Sequence, residues 1–184
     1  RAIEPMTPFF ARLANELIDN FCEKGSCEFM SEFAEPFSAR VITELLGLPK
    51  ERWRELADYA TELGYVFSVT IKNDLPVIEH GLQGILDISQ KLIDSRIGTD
   101  SDDFVGTLVK ANLDGQKITN EELLSLVSMI VFAGFDTTRN QLGLGMQTFS
   151  AYPAQWKKLG ANPELGRLAV EEVMRVNPTI TWVS

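Results

Sequence analysis

Cysteine, histidine and basic residues are scarce in this sequence, and each scarcity excludes a class of protein. Among 184 residues there are two cysteines and one histidine, too few for a disulfide scaffold or a zinc ribbon. The 17 basic and 26 acidic residues give a net charge of −9, which excludes a general nucleic-acid binder because phosphate contacts need basic patches. No apolar run reaches the roughly 20 residues that span a bilayer, so no membrane partner is expected. Unpaired thiols and the lack of a signal segment favour a cytoplasmic protein.

Helical periodicity is the pattern that the sequence does contain. Apolar residues make up 45% of the chain and charged residues 23%, as in ordinary globular domains, so we expect one domain or part of a larger one. Apolar residues that recur every three or four positions predict helices. The predicted helices are 8–21, 36–46, 52–67, 77–96 and 104–112. Residues 28–33 are predicted to form either a short strand or the lead-in to the next helix. Residues 68–76 are predicted to form a loop, and residues 113–116 a tight turn.

One long helix is predicted in the second half of the chain. Thr119 and Glu122 form a capping box, and no proline follows until Pro153. This leaves room for about 30 residues and about 45 Å of helix, which would run through the centre of the domain. A further helix is predicted from Asn162, its N-cap, to about residue 175, and 179–183 has strand composition. The fold class predicted is mainly α with minor β, in one body over 1–184.

The middle of the long helix breaks several local rules at one place. Gly134 costs the helix roughly 1 kcal/mol relative to Ala, and an acid, Asp136, follows it within an apolar stretch. The Thr137 hydroxyl is placed to donate to the Ala133 carbonyl. This pattern predicts a groove for a flat, bulky group, with Asp136 and Thr137 delivering protons. The residues expected on one broad side of the helix are Met129, Phe132, Ala133, Asp136, Thr137 and Asn140. A simple helix kink with solvent-reachable polar residues is the alternative.

Glu172 and Arg175 form a second pattern, because side chains three positions apart on a helix face the same way. On the surface such a pair adds only a few tenths of a kcal/mol to stability. If it is buried, the pair needs further partners. The spacing alone leaves both alternatives open.

These motifs together resemble the cytochrome P-450 family of haem-thiolate monooxygenases, in its bacterial branch. Residues 133–138, AGFDTT, are similar to that family's central-helix motif, and Glu172-x-x-Arg175 is similar to its ExxR motif. Residues 37–49 and the stretches 102–109 and 118–123 resemble the family segments that lead into the central helix. The resemblance implies the central portion of the P-450 fold. It also implies an enzyme that activates O2 on haem b and inserts one oxygen atom into a small organic substrate, with electrons from a ferredoxin-type donor.

The resemblance also implies a role for each matching residue. Asp136 and Thr137 would be the catalytic acid–alcohol pair that relays protons, while Ala133, Gly134 and Thr138 would contact the cofactor. Glu172 and Arg175 would be structural, within a network that supports the haem-binding core. The residues that would border the substrate are Met129, Phe132, Thr179, Ile180 and Thr181.

The family's cysteine ligand to iron is not matched by Cys22 or Cys27, and it is expected beyond Ser184. The chain is therefore expected to be a central fragment that does not hold haem stably, that is inactive alone, and that exposes apolar surface. Two other functions remain open. One is a non-catalytic helical module that binds an apolar ligand. The other is a metal-dependent all-α isoprenoid enzyme, in which Asp100, Asp102 and Asp103 bind magnesium.

Overall fold

The structure, a computed structural model, describes residues 3–115 and 118–181, and within these ranges the fold is helical with no β-strand. Short 3₁₀ or π turns join several of the helices. The helices are α1 (Thr7–Asp19), α2 (Glu35–Leu46), α3 (Trp53–Gly64), α4 (Ile71–Asp94), α5 (Phe104–Gly115), α6 (Asn120–Ala151), α7 (Pro153–Ala161) and α8 (Gly166–Val176).

The long helix α6 is present as predicted and begins at the predicted capping box. The Thr119 hydroxyl accepts from the Glu122 N–H at 3.2 Å, and the Glu122 carboxylate accepts from the Thr119 N–H at 2.6 Å. The backbone hydrogen bond from Thr119 lowers the pKa of Glu122. The two reciprocal bonds satisfy donors that have no partner within the helix and so fix its start.

The first half of α6 lies in the hydrophobic core. Its buried residues recur at four-residue spacing and pack with the buried faces of α2, α3 and α4. From Asp136 to the end of α6 no residue is buried, and Val173 is the buried residue of α8. The core residues are Ile42, Leu46, Leu56, Ala60, Ile85, Ile88, Leu123, Val127, Val131 and Phe135. The predicted site therefore lies where the core side of α6 ends.

Helix α4 corrects the predicted loop at 68–76, because the helix already begins at Ile71 and includes Pro76. Polar side chains stabilise its first turn: the Thr70 hydroxyl donates to the Asp74 carboxylate at 2.7 Å. Pro76 lacks an N–H and so removes one hydrogen bond of the helix. The buried face of α4, which includes Ile85 and Ile88, packs on the core and outweighs that loss.

The segment before α2 is the lead-in to that helix, and the alternative of a strand is wrong. The chain is helical from Phe29 and forms a π-turn over Met30–Ala34, in which the Glu35 N–H donates to the Met30 carbonyl. Pro36 follows directly and has no N–H to donate. The wider turn thus lies where the regular pattern of hydrogen bonds is interrupted.

Three other predictions change at the ends of helices. Helix α5 continues through Gly115, so the turn predicted at 113–116 is wrong as far as residue 115, and Gln116 lies outside the described residues. The Asn162 side chain donates to the Lys158 carbonyl at 2.9 Å, so it closes α7 rather than capping the next helix. Residues 179–181 form no strand, and the Thr179 N–H is bonded to a side chain of α6; 182–183 lie outside the described residues.

Candidate active site

The exposed side of α6 at the motif is formed by Met129, Ala133 and Thr137, which we call the open face. Four-residue spacing places them on one side of the helix. Met129 is 59% exposed, Ala133 is exposed and Thr137 is half-buried. The Thr137 hydroxyl donates to the Ala133 carbonyl, as predicted from the sequence. The open face is therefore apolar apart from one hydroxyl, whose direction is fixed by the backbone of the preceding turn.

Gly134 contacts a neighbouring helix rather than an open groove. A Cβ added there would overlap the Cδ1 atom of Ile42 and lie 3.2 Å from its Cγ1 atom. Ile42 is a buried residue of α2, so the glycine lets α2 and α6 approach closely. The sequence interpretation, in which this space receives a bound group, is corrected here because Ile42 fills it.

Asp136 points away from the open face and is held by two other residues of α6. Its Oδ1 atom accepts from Arg139 Nη2 at 2.6 Å, and its Oδ2 atom accepts from Asn140 Nδ2 at 3.0 Å. The side chains of Asp136 and Arg139 are only 18% and 16% exposed. Arg139 also donates to the Thr61 hydroxyl at 3.1 Å and lies 3.5 Å from a Glu35 carboxylate oxygen.

The guanidinium of Arg139 thus connects the acid of the motif to α2 and α3. Sequence reasoning missed this residue, although a basic residue three positions after an acid is a signal for such a pair. The acid and Thr137 are neighbours in sequence but are not hydrogen-bonded to each other here, since each has other partners.

Phe132 shows that the broad side predicted from the sequence is in fact two surfaces. Its ring stacks on Phe67, with centroids 6.0 Å apart and planes 16° apart. Phe67 belongs to the 3₁₀ turn that follows α3, so Phe132, like Asp136, faces that part of the fold. Asn140 belongs with them through its bond to Asp136. Thr138 is exposed.

The segment after α8 lies against α6 next to the open face. The Thr179 N–H donates to the side-chain oxygen of Gln141 at 2.9 Å, and the Gln141 amide donates to the Asn177 carbonyl at 3.1 Å. The Thr179 hydroxyl lies 3.5 Å from the Thr137 carbonyl, to which it donates. Ile180 and Thr181 follow and are exposed. Thr179 and Thr137 are therefore neighbours, and Gln141, which the sequence analysis did not single out, holds them together.

Glu172 and Arg175 form the predicted pair, and it lies on the surface. The guanidinium donates to both carboxylate oxygens at 2.7 Å. The side chains are 60% and 69% exposed, and within the described ranges neither has another side-chain partner. The hydrogen bond lowers the pKa of Glu172 and raises that of Arg175. The pair borders an apolar groove of about 580 Å³ between α7, α8 and the end of α6.

The cysteines and the histidine are not arranged as metal ligands. Cys22 and Cys27 are exposed free thiols between α1 and α2. His80 Nδ1 lies 2.6 Å from a Glu62 carboxylate oxygen. Over 3–115 and 118–181 no three His, Cys, Asp or Glu side chains are grouped so that they could hold a metal ion.

In the same ranges, no helix is both long enough and apolar enough to cross a bilayer.

The acidic cluster before α5 has a structural role at Asp103. Burial opposes its ionisation, but hydrogen bonds from the Gly106 N–H, the Ser101 hydroxyl and Arg96 outweigh that effect and lower its pKa. Arg96 donates to this carboxylate at 2.7 Å and to the Gly47 carbonyl at 2.8 Å. Asp100 pairs with Lys110. Both carboxylate oxygens of Asp103 therefore already have partners within the protein.

Comparison with known proteins gives the family. No family model matches the chain. Luteothin monooxygenase of Streptomyces thioluteus is 34% identical over 181 residues, which cover 98% of this chain and 44% of that protein. The solved structure of the polyketide synthase cytochrome P450 PksS of Bacillus subtilis 168 matches with a TM-score of 0.84 and 30% identity, over 94% of this chain and 44% of that one. The chain belongs to the cytochrome P450 family.

A third cytochrome P450 extends the comparison. The structure of P450BioI in complex with an acyl carrier protein carrying hexadec-9Z-enoic acid has a TM-score of 0.82 and 28% identity, over 94% of this chain and 45% of that one. The chain therefore spans less than half the length of the cytochrome P450s that it matches. Its helices correspond to the central helical portion of that fold, as the two motifs predicted.

Proposed function

We propose that this chain forms the oxygen-activating side of the haem pocket in a monooxygenase that inserts one oxygen atom from O2 into a small organic substrate. The observation that carries the proposal is the open face of α6, where the Thr137 hydroxyl is bonded to the Ala133 carbonyl within an apolar surface. Residues 1–184 are taken as one partial cytochrome P450 domain.

The open face suits a haem ring. A flat, largely apolar macrocycle needs an apolar surface without a bulky charged group, and here the side chains of Asp136 and Arg139 are turned toward α2 and α3. Haem b would lie against Met129, Ala133 and Thr137, with the exposed Thr138 beside it. When bound, the haem supplies the redox and O2 chemistry. Its thiolate ligand is proposed to come from sequence beyond Ser184, since both cysteines of this chain are exposed and precede α2.

Thr137 is proposed to hold the proton that the reaction uses. Its hydroxyl donates to the Ala133 carbonyl, so its orientation is set before substrate arrives, and its oxygen would accept a hydrogen bond from a water molecule at the open face. Asp136 is the proposed proton source. Because both oxygens of its carboxylate accept hydrogen bonds, from Arg139 and Asn140, it must first leave one of these partners and take up a proton from solvent before it can pass one toward Thr137.

The remaining residues define the surroundings of the reaction. Met129 and the segment 179–181 border the substrate at the open face, where the exposed Ile180 and Thr181 leave room for it. Phe132 borders the substrate from the side of Phe67, on which its ring stacks. Glu172 and Arg175 act structurally through their paired side chains. The proposed electron donor is a ferredoxin-type protein. The two free thiols support a reducing compartment, the cytoplasm.

Titration with haem, followed by the difference spectrum of the reduced carbon monoxide complex, tests the proposal. The whole protein that carries this chain should bind one haem and give the spectrum of a thiolate ligand. The chain of 184 residues alone should not, and the double variant Cys22→Ser, Cys27→Ser should behave as the unchanged chain does. A thiolate spectrum from the chain alone that disappears in the double variant would overturn the assignment of the ligand. Stoichiometric binding of an apolar ligand by a whole protein that takes up no haem would support a non-catalytic binding module.

A further inference from the structure

We propose that Gln141 is a positioning residue that fixes the segment 179–181 as one wall of the pocket and so sets the pocket's width beside Thr137. The inference rests on the proposed function for its meaning, but the contacts that carry it do not depend on haem. It assigns a role to a residue outside both sequence motifs.

The side chain of Gln141 forms two hydrogen bonds to the segment after α8, one as acceptor and one as donor, and we call this pair of bonds the clamp. Its side chain lies one helical turn after Thr137, on the same side of α6. The carbonyl oxygen accepts from the Thr179 N–H at 2.9 Å, and the amide nitrogen donates to the Asn177 carbonyl at 3.1 Å. Both polar groups of one side chain are therefore used by backbone groups of one short segment, and the half-buried site protects these bonds from water.

The other side-chain contacts between this segment and α6 are longer. The Asn177 amide reaches the Leu144 carbonyl, Gln147 and Thr148, but at 3.3–3.5 Å. The Thr179 hydroxyl reaches the Thr137 carbonyl at 3.5 Å. Ile180 is 56% exposed, so packing does not fix the chain beyond Thr179. The two shorter bonds of Gln141 thus decide where the wall lies relative to the open face.

The chemistry of the clamp requires both a donor and an acceptor at position 141. A leucine at this position supplies neither. A glutamate supplies the acceptor for the Thr179 N–H but brings a negative oxygen, without a proton, toward the Asn177 carbonyl. Gln141→Glu should therefore keep one half of the clamp and lose the other, whereas Gln141→Leu loses both.

The first measurement is hydrogen exchange of the Thr179 amide in the haem-loaded whole protein. Gln141→Leu should accelerate its exchange by at least about tenfold, because the donor loses its acceptor, and Gln141→Glu should accelerate it less. Gln83→Leu is the matched control: the side chain of this exposed residue of α4 donates to Asp87, one turn further along the same helix. Equal exchange at Thr179 in the wild-type protein and in Gln141→Leu would overturn the clamp.

The second measurement is the binding of two probes to the haem iron, imidazole and the wider 4-phenylimidazole, followed by absorbance. Gln141→Leu should change the Kd of 4-phenylimidazole by at least about threefold and leave the Kd of imidazole unchanged, because only the wider probe reaches the wall. Faster exchange with an unchanged ratio of the two Kd values would overturn the role in pocket width. If the whole protein holds no haem, the proposed function fails; the exchange of Thr179, measured in the haem-free protein, still decides the clamp.

Discussion

Replacing Gly134 with alanine tests whether the central glycine of the motif serves helix packing. The new methyl group would overlap Ile42 Cδ1, and Ile42 is only 5% exposed, so its side chain has little freedom to move away. Overpacking of a core costs about 1–3 kcal/mol. Alanine has a higher helix propensity than glycine, so the replacement also stabilises the helix by about 1 kcal/mol. Gly134→Ala should therefore lower the free energy of unfolding by about 1 kcal/mol.

A double-mutant cycle isolates the contact between the two helices. Ile42→Val removes Cδ1 and alone should cost about 1 kcal/mol. Because it also removes the overlap, the two changes together should be more stable than their sum by about 1–2 kcal/mol. Gly160→Ala is the control, since no atom lies within 4 Å of its added methyl group, and it should not destabilise the protein.

Urea unfolding of the four proteins of the cycle, followed by circular dichroism, measures these differences. Additive effects of Gly134→Ala and Ile42→Val would refute the reasoning. So would a Gly134→Ala variant as stable as the Gly160→Ala control, because the open groove inferred from the sequence would then describe this glycine better.

Three further substitutions test other contacts by the same unfolding assay. Arg139→Gln removes the charged partner of the half-buried Asp136 carboxylate and should lower the free energy of unfolding by about 2 kcal/mol. Arg167→Gln, in an exposed pair, should leave it nearly unchanged. Equal losses of stability in the two variants would contradict the role of Arg139. Thr119→Ala removes the cap of α6 and should cost about 1 kcal/mol, and an unchanged midpoint would argue against the capping box. The lowered pKa of Asp103 stabilises the fold above the ordinary value of 3.8, and this contribution is lost as the pH falls below it. The Asp103→Asn variant should therefore be less stable at neutral pH and lose less stability than the wild-type protein below pH 3.8; parallel profiles would contradict this.

Local patterns predicted the features that depend on near neighbours in the sequence. The capping box at Thr119, the length of α6 and the bond from Thr137 to Ala133 each involve residues within four positions or an uninterrupted helical stretch. Such features follow from backbone geometry, so the sequence alone was sufficient for them. The pair of Glu172 and Arg175 belongs to the same class.

Features that depend on tertiary contacts were missed or wrong. Pro76 suggested a loop because its cost to a helix is local, whereas the burial of α4 that overcomes it is not. Gly134 suggested a groove because the sequence does not show that Ile42 fills the space. Residues 179–181 have strand composition, but the Thr179 N–H is bonded to the side chain of Gln141, on a helix 38 positions away. Helical spacing likewise does not show that Arg139, the partner of Asp136, also contacts Thr61 and Glu35 on neighbouring helices.

The most direct test of the central claim is the fraction of electrons that the haem-loaded whole protein delivers to product rather than to hydrogen peroxide. Thr137→Ala should continue to consume reductant but form at least about tenfold less product per electron, because the oriented hydroxyl is lost. Thr137→Ser should restore most of the yield, and Thr107→Ala, which removes a similar hydroxyl-to-carbonyl bond from an exposed turn of α5, should leave it unchanged. An unchanged yield in Thr137→Ala would contradict the assignment of this face of α6 to oxygen activation.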